Sequence, residues 1–237
     1  MSLARDDEIR YSRPLRATFG SGGSEPYASA LRRGSVEVLY LQELRLDREP
    51  KTVEMDLARW SADADSIDYQ LLASVRGPVL DVGCGPARMV RAARDLGMEA
   101  LGIDVSLAAI EIARASGVDV LHASVFEKLP DEGAWQTVLL VDENIGIGGD
   151  PTALLARCGE LISADGEIVV ELHPDHNRDR TYTGRLLDAR GAVSATFPWA
   201  ELGLTGLLER ADTVGLESRQ SWSVDGRSFC RLANSLR

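Results

Sequence analysis

The chain has 237 residues, 44% of them hydrophobic, and a formal net charge of −11. That length suits one α/β domain with an appendage, and the hydrophobic share is enough for a packed core. The acid excess argues against a polyanionic partner such as nucleic acid, and no run approaches the ~18 apolar residues of a membrane span. Cys84, Cys158 and Cys230 lack any metal-ligand spacing and fit free thiols in a reducing compartment. The N-terminus has no signal-peptide core, so a cytoplasmic location is expected.

Residues 1–25 carry many charges and run into Gly20-Ser21-Gly22-Gly23-Ser24, the composition of a flexible N-terminal tail. Residues 26–76 are expected to form a cap or substrate region. It holds a short helix over 26–33, a small hairpin pairing 36–41 with 52–55, and a helix over 65–75. Residues 77–237 are expected to form a nucleotide-binding domain. Its strands are predicted at 79–82, 99–104, 118–122, 136–141 and 167–172, the fourth so apolar that burial on both faces is implied. Pro86 opens a helix with Met89, Val90, Ala93 and Leu96 on one face, while Arg88, Arg91 and Arg94 are expected to solvate another. Ser106 is placed as an N-cap for a helix ended by Gly117. Asp150-Pro151 starts a further helix with an apolar stripe through Leu154, Leu155, Cys158, Leu161 and Ile162. Beyond it, 181–187 and 192–197 are expected to form a hairpin, and 199–214 a helix. Asp225-Gly226 joins 216–224 to 227–233 as an antiparallel hairpin.

The most informative run is Val79-Leu80-Asp81-Val82-Gly83-Cys84-Gly85-Pro86-Ala87-Arg88. A strand, a glycine turn and a helix make the first half of a βαβ nucleotide-binding unit. Glycines suit the turn because a Cβ would hold a ligand off the backbone, and because such turns use φ > 0. Asp104, about twenty residues on, is placed to bond ribose hydroxyls. Arg88 occupies the third glycine position of a dinucleotide fingerprint, which speaks against a pyrophosphate ligand.

This run resembles motif I of the class I S-adenosylmethionine-dependent methyltransferases, an acid-x-Gly-x-Gly-x-Gly pattern. Asp81, Gly83 and Gly85 match it, and Ala87 replaces the third glycine. The resemblance extends from about residue 78 to the C-terminus. It implies a Rossmann-like three-layer sandwich, with a mostly parallel seven-stranded sheet ending in an antiparallel hairpin. It also implies S-adenosyl-L-methionine as cofactor. Carried over residue by residue, it puts Asp81, Gly83, Cys84 and Gly85 against the cofactor and Asp104 with Val105 at the ribose. Ser124, Val125 and Phe126 then fall around the adenine, and Asp142 and Asn144 in the loop after the fourth strand. That loop, Asn144-Ile145-Gly146-Ile147-Gly148-Gly149-Asp150-Pro151, is similar to one in a group of bacterial small-molecule methyltransferases. The same group has Trp135 and the Phe197-Pro198-Trp199 run. The Asp/Asn-Pro-Pro-aromatic signature of base-amine methylation is absent there.

Methyl transfer from a sulfonium is an in-line displacement, in which positioning can supply most of the catalysis. The candidates for a base at the strand ends are Asp142, Glu143, Glu171, His173 and His176. His173 is the first choice, because an imidazole titrates near neutrality, with Asp142 second. No metal site is assigned: the mixed set of His173, Asp175, His176 and Asn177 suits neither a hard cation nor a transition metal. Trp199, Trp222 and Phe197 are candidates for an acceptor wall or for core. The expected function is methyl transfer to a small molecule, possible in the tailoring of a secondary metabolite. The alternatives are an NAD(P)-dependent oxidoreductase and a non-catalytic protein that keeps the cofactor fold.

Overall fold

Short apolar runs at the centre of the chain stack as parallel strands because little of their surface can face water. They are β3 (Val79–Val82), β4 (Ala100–Asp104), β5 (Val120–His122), β6 (Trp135–Leu140) and β7 (Ile162–Leu172). A computed structural model describes residues 17–21, 26–34, 38–45 and 49–235, so most of the expected tail lies outside it. β10 (Leu216–Val224) and β11 (Arg227–Asn234) complete a seven-stranded sheet of order β10-β11-β7-β6-β3-β4-β5. Both of these strands pair antiparallel. Asp225 and Gly226 between them have φ of +47° and +80°, the left-handed pair that a two-residue hairpin turn uses.

Alternate residues of the strands feed two different cores. Leu80, Val138 and Leu140 pack with Leu154 of α6 (Pro151–Leu161) and Leu207 of α7 (Leu204–Thr213). Val79 and Leu139 pack with Leu72 of α3 (Ser66–Ala73) and Met89 of α4 (Arg88–Asp95). Val90 of α4 and Ile110 of α5 (Leu107–Ala115) share a further cluster with Cys84. The result is the three-layer sandwich that the sequence implied.

A second sheet stands over one end of this sandwich. It contains β1 (Leu39–Glu43), β2 (Lys51–Met55), β8 (Asp179–Asp188) and β9 (Phe197–Leu202), all antiparallel in the order β2-β1-β8-β9. The helices α1 (Pro26–Arg33) and α2 (Leu57–Ser61) flank it. Two of its strands come from before residue 77 and two from after residue 178. The expected 36–41/52–55 hairpin therefore exists as β1–β2, but β1 also pairs with β8, Leu39 opposite Asp188. Residues 36 and 37 lie outside the described residues.

Three expectations need correction. The expected hairpin of 181–187 with 192–197 forms only in part: 192–194 pairs through the Leu187–Val193 bridge, and the main partner of β8 is β9, which starts at Phe197 and runs on to Leu202. The helix expected over 199–214 begins only at Leu204, because Trp199–Leu202 continues β9 and Gly203 separates the two. A Cβ on Gly203 would run into the carbonyl oxygens of Asp175 and His176. Finally, α4 starts at Arg88 rather than Pro86, after Ala87 takes a left-handed φ of +68°. Alanine thus keeps the backbone of the glycine it replaces, at a cost of about 1–2 kcal/mol. On that helix Leu96 is 44% exposed, whereas Arg88, expected in solvent, is only 3% exposed.

Candidate active site

The strand order reverses between β3 and β6, and ligands of open α/β sheets bind outside the carboxyl ends at such a point. A cavity of about 440 Å³ opens there, a volume typical of small-molecule sites. Gly83 and Gly85 form its floor with φ of +72° and +54°. A Cβ on Gly83 would come within 2.8 Å of the Asn144 amide nitrogen. That amide donates to the carbonyls of Val82 (2.8 Å) and Gly83 (3.1 Å), so Asn144 pins the turn. The Cys84 thiol packs over Gly102, where a Cβ would meet the sulfur at 2.7 Å.

Asp104 closes β4 beside this turn. It accepts hydrogen bonds from the Gly85 N–H (2.9 Å) and the Ser106 N–H (2.7 Å). Burial pushes its carboxyl up, and these N–H groups pull it partly back. Val105, Ser124, Val125 and Phe126 continue the same wall. Phe126 is 47% exposed, so it is not core, and its ring lies 3.1 Å from where a Gly148 Cβ would be. Truncation of Asp104 to alanine is expected to weaken binding of S-adenosylhomocysteine by about 1.5–3 kcal/mol, the scale of hydrogen bonds to a charged group. Calorimetric titration checks this, and unchanged affinity would remove Asp104 from the site.

Asp81 is only 2% exposed, lines the cavity, and has a buried Oδ1 without a hydrogen-bond partner. Burial, then the charges of Asp142 and Asp104, push its carboxyl up to about 8. Around it runs a network of ion pairs. Arg88 pairs with the fully buried Asp68 and donates to Asp142 at 2.6 Å. Arg227 bridges Asp68 (2.8 Å) and Glu171 (2.7 and 2.8 Å). Burial raises the Glu171 carboxyl, but Arg227, the Asp142 N–H and Arg59 together outweigh it and the net shift is downward. Glu171 in turn accepts the Asp142 N–H at 2.8 Å, and Arg59 of α2 reaches Asp142 at 3.4 Å. Asp142, expected as a base, is therefore held by two arginines.

The roof over the cavity is aromatic. Phe19, Tyr27, Trp60, Tyr182 and Trp199 line it, with the Phe19 ring 5.2 Å from Tyr27 and 5.4 Å from Trp199. Phe197 belongs to the core beneath, and Trp222 lies elsewhere, stacked on Phe229. At this end Arg180 donates to Glu43 (2.6 Å), Arg178 to Glu201 (2.6 Å), and the Tyr182 hydroxyl to Glu201 (3.0 Å). The glycine-rich loop forms a 3-10 turn, Asn144–Gly149, that backs onto β9. A Cβ on Gly149 would lie 2.6 Å from Pro198, and one on Gly146 would strike the Ala200 carbonyl oxygen and the Trp199 ring. These two glycines serve the contact between the sheets.

His173, the first choice as base, is not in this cavity. It borders a separate small depression with Trp222 and Phe229. Its N–H donates to the Leu202 carbonyl, and its Nδ1 accepts the Asp175 N–H at 3.1 Å. Of the strand-end candidates, Asp142, Glu143 and Glu171 do line the cavity. Arg59 escaped the sequence reading because α2 is five residues long and has no apolar period. Among the described residues, no group of three His, Cys, Asp or Glu is placed to hold a metal, and no helix is long and apolar enough to cross a membrane.

Strand order and glycine turn are those of the class I S-adenosylmethionine-dependent methyltransferase fold. Residues 79–166 match a family model described as a methyltransferase domain. No curated protein matches the chain. Among solved structures, it is similar to a SAM-dependent methyltransferase from Bacteroides fragilis in complex with S-adenosyl-L-homocysteine. That match has 18% identity and a TM-score of 0.75, covering 93% of this chain and 99% of the other. It is also similar to the 1,6-didemethyltoxoflavin-N1-methyltransferase of Burkholderia thailandensis (15% identity, TM-score 0.51, covering 72% and 78%). A third is the glycopeptide N-methyltransferase MtfA (13% identity, TM-score 0.54, covering 73% and 95%). The chain carries a methyltransferase domain over residues 79–166, which sets aside the oxidoreductase alternative.

Proposed function

We propose that this chain methylates a small-molecule acceptor, in the tailoring of a secondary metabolite. The observation that carries this reading is one cavity continuous from the glycine turn and Asp104 to the aromatic roof. Its volume suits small molecules rather than an extended polymer. Nine carboxylates and four cationic side chains line it, a balance that repels polyanions and attracts cations. Two of the similar structures are methyltransferases of a glycopeptide and of 1,6-didemethyltoxoflavin, which supports an acceptor of natural-product type.

In this reading Asp104 holds the donor ribose, and Ser124, Val125 and Phe126 flank the adenine. Asp81 takes the donor's ammonium, since a buried carboxylate lacking a partner gains most from a cation. Arg59, whose Nη2 makes no hydrogen bond but lies 3.4 Å from Asp65 and 3.7 Å from Asp68, takes its carboxylate. S-adenosylmethionine supplies a methyl group activated by a sulfonium. The chain's own part is to hold the acceptor in line under α1 and the four-stranded sheet and to keep water out.

The test is calorimetric titration with S-adenosylmethionine, S-adenosylhomocysteine and NAD, then incubation of cell extract with methyl-labelled donor. The first two ligands are expected to bind, NAD is not, and label is expected in the small-molecule fraction. Label found only in protein or nucleic acid would overturn the acceptor reading. Tight NAD binding without donor binding would overturn the donor reading.

A further inference from the structure

Glu143 is the second of two consecutive residues in left-handed conformation, with φ of +62° after +53° at Asp142. Neither is glycine, and each such residue costs stability and persists only where its surroundings impose it. Asp142 uses the conformation to reach Arg88 and Arg59. Glu143 uses it for nothing in the packing. Its carbonyl accepts the Gly146 N–H, but its carboxylate takes no hydrogen bond from the described residues. The strain aims a free carboxylate into the cavity.

Four neighbouring acids are already engaged. Glu43 and Glu201 are tied to Arg180 and Arg178, Glu171 to Arg227, and Asp142 to Arg88. We infer that Glu143 is the proton acceptor of the reaction, and that the methyl acceptor is a nitrogen compound entering as its protonated amine. This rests on the methyl transfer proposed above. The Glu143 carboxylate takes one N–H proton and frees the nitrogen lone pair. That lone pair forms the N–C bond as the C–S bond breaks, and the C–S electron pair stays on sulfur. The positive charge passes from the sulfonium to the methylated nitrogen, and Glu143 returns its proton to solvent.

The surroundings suit that cycle. Glu201 of β9, Glu171 of β7, Asp142 beside it, Arg178 before β8 and Tyr182 on β8 all bear on Glu143. Glu143 is solvent-exposed as a residue, and it lines the cavity with protein crowded around its carboxyl. Burial, then Glu201 and Glu171, raise its carboxyl to about 7, against a smaller opposing effect of Arg178. A base of that strength is half-ionised at neutral pH and can both take and release a proton. An anionic acceptor would face these carboxylates, whereas an ammonium relieves them.

The experiment offers aliphatic and aromatic amines, each paired with the alcohol or phenol of the same skeleton. Binding to the complex with S-adenosylhomocysteine is read by calorimetry, and turnover by S-adenosylhomocysteine release from S-adenosylmethionine. Amines are expected to bind and react and their oxygen counterparts are not. Glu143→Gln is expected to lower kcat at least about 100-fold, to remove the rise in kcat near pH 7, and to leave S-adenosylhomocysteine affinity unchanged. Glu143→Gly is expected to be equally inactive yet to melt at or up to about 4 °C above wild type, because glycine tolerates the left-handed backbone. An amine panel that neither binds nor reacts while the donor binds would overturn the inference alone. So would a Glu143→Gln enzyme with wild-type kcat and pH profile. A protein that fails to bind the donor at all would instead overturn the reading on which it rests.

Discussion

Replacing Arg88 with methionine is expected to destabilise the protein by about 3–5 kcal/mol, the cost of breaking a buried ion pair from one side. Methionine fills much the same volume, so the loss is electrical rather than a cavity. Asp68 is fully buried, and without Arg88 it keeps its ion pairs to Arg227 and Arg59 and the Asp65 N–H. Asp142 would keep Arg59 alone. For a domain of this size the loss corresponds to a fall in Tm of about 6–20 °C, readable by calorimetry or by urea unfolding. The double variant Arg88→Met/Asp68→Asn should recover part of it, because the stranded charge is gone while Arg227 still has Glu171. A loss under about 1 kcal/mol in the single variant would mean that the pair is not buried as described.

The second large effect concerns Asp81. With its carboxyl raised to about 8, it is mostly protonated at pH 7 in the free protein. A donor ammonium beside it would favour the charged form. Binding of S-adenosylhomocysteine at pH 7 is therefore expected to release close to one proton, measurable by calorimetry in two buffers of different ionisation heat. Asp81→Asn should abolish that release and weaken binding by at least about tenfold, the lower range for hydrogen bonds to charged groups. The stability sign is opposite. The folded protein keeps the Asp81 proton up to about pH 8, whereas the unfolded chain loses it near the ordinary aspartate value. Stability from this group is thus complete at low pH and lost as pH rises through about 8. Asp81→Asn should accordingly melt higher than wild type at pH 8 in the absence of ligand. Proton-neutral binding, or a lower melting point there, would remove Asp81 from the donor's ammonium.

The nucleotide half of the fold was legible because its signals are local. β3 and β6 are apolar throughout except for Asp81, Gln136 and Thr137, and Gly83, Gly97, Gly117 and Gly226 all take the positive φ that their turns require. The four-stranded sheet was half legible. Residues 52–55 alternate, but nothing local says that their hairpin partner will be joined by a strand from 140 residues further on. Phe197–Leu202 has too little period-two contrast to be told from the start of a helix, since Trp199 and Ala200 are both buried. Within the site, motif residues fell where they were expected. His173 did not, because distance from a strand end says nothing about which side the chain turns to, and this chain turns away at Leu202. Arg88 was misjudged because an arginine on an amphipathic helix gives no sign of the Asp68 waiting behind it.

The order of the four-stranded sheet has a consequence for synthesis. β1 sits between β2 and β8, so one of its edges stays bare until residues 179–188 have been made. At about 5–20 residues per second on the ribosome, that interval is roughly 7–30 s. During it the β1–β2 hairpin presents unpaired backbone N–H and C=O groups, the template that neighbouring nascent chains can add to. The roof sheet consequently closes after β3–β7 have emerged and before α7, β10 and β11 complete the main sheet.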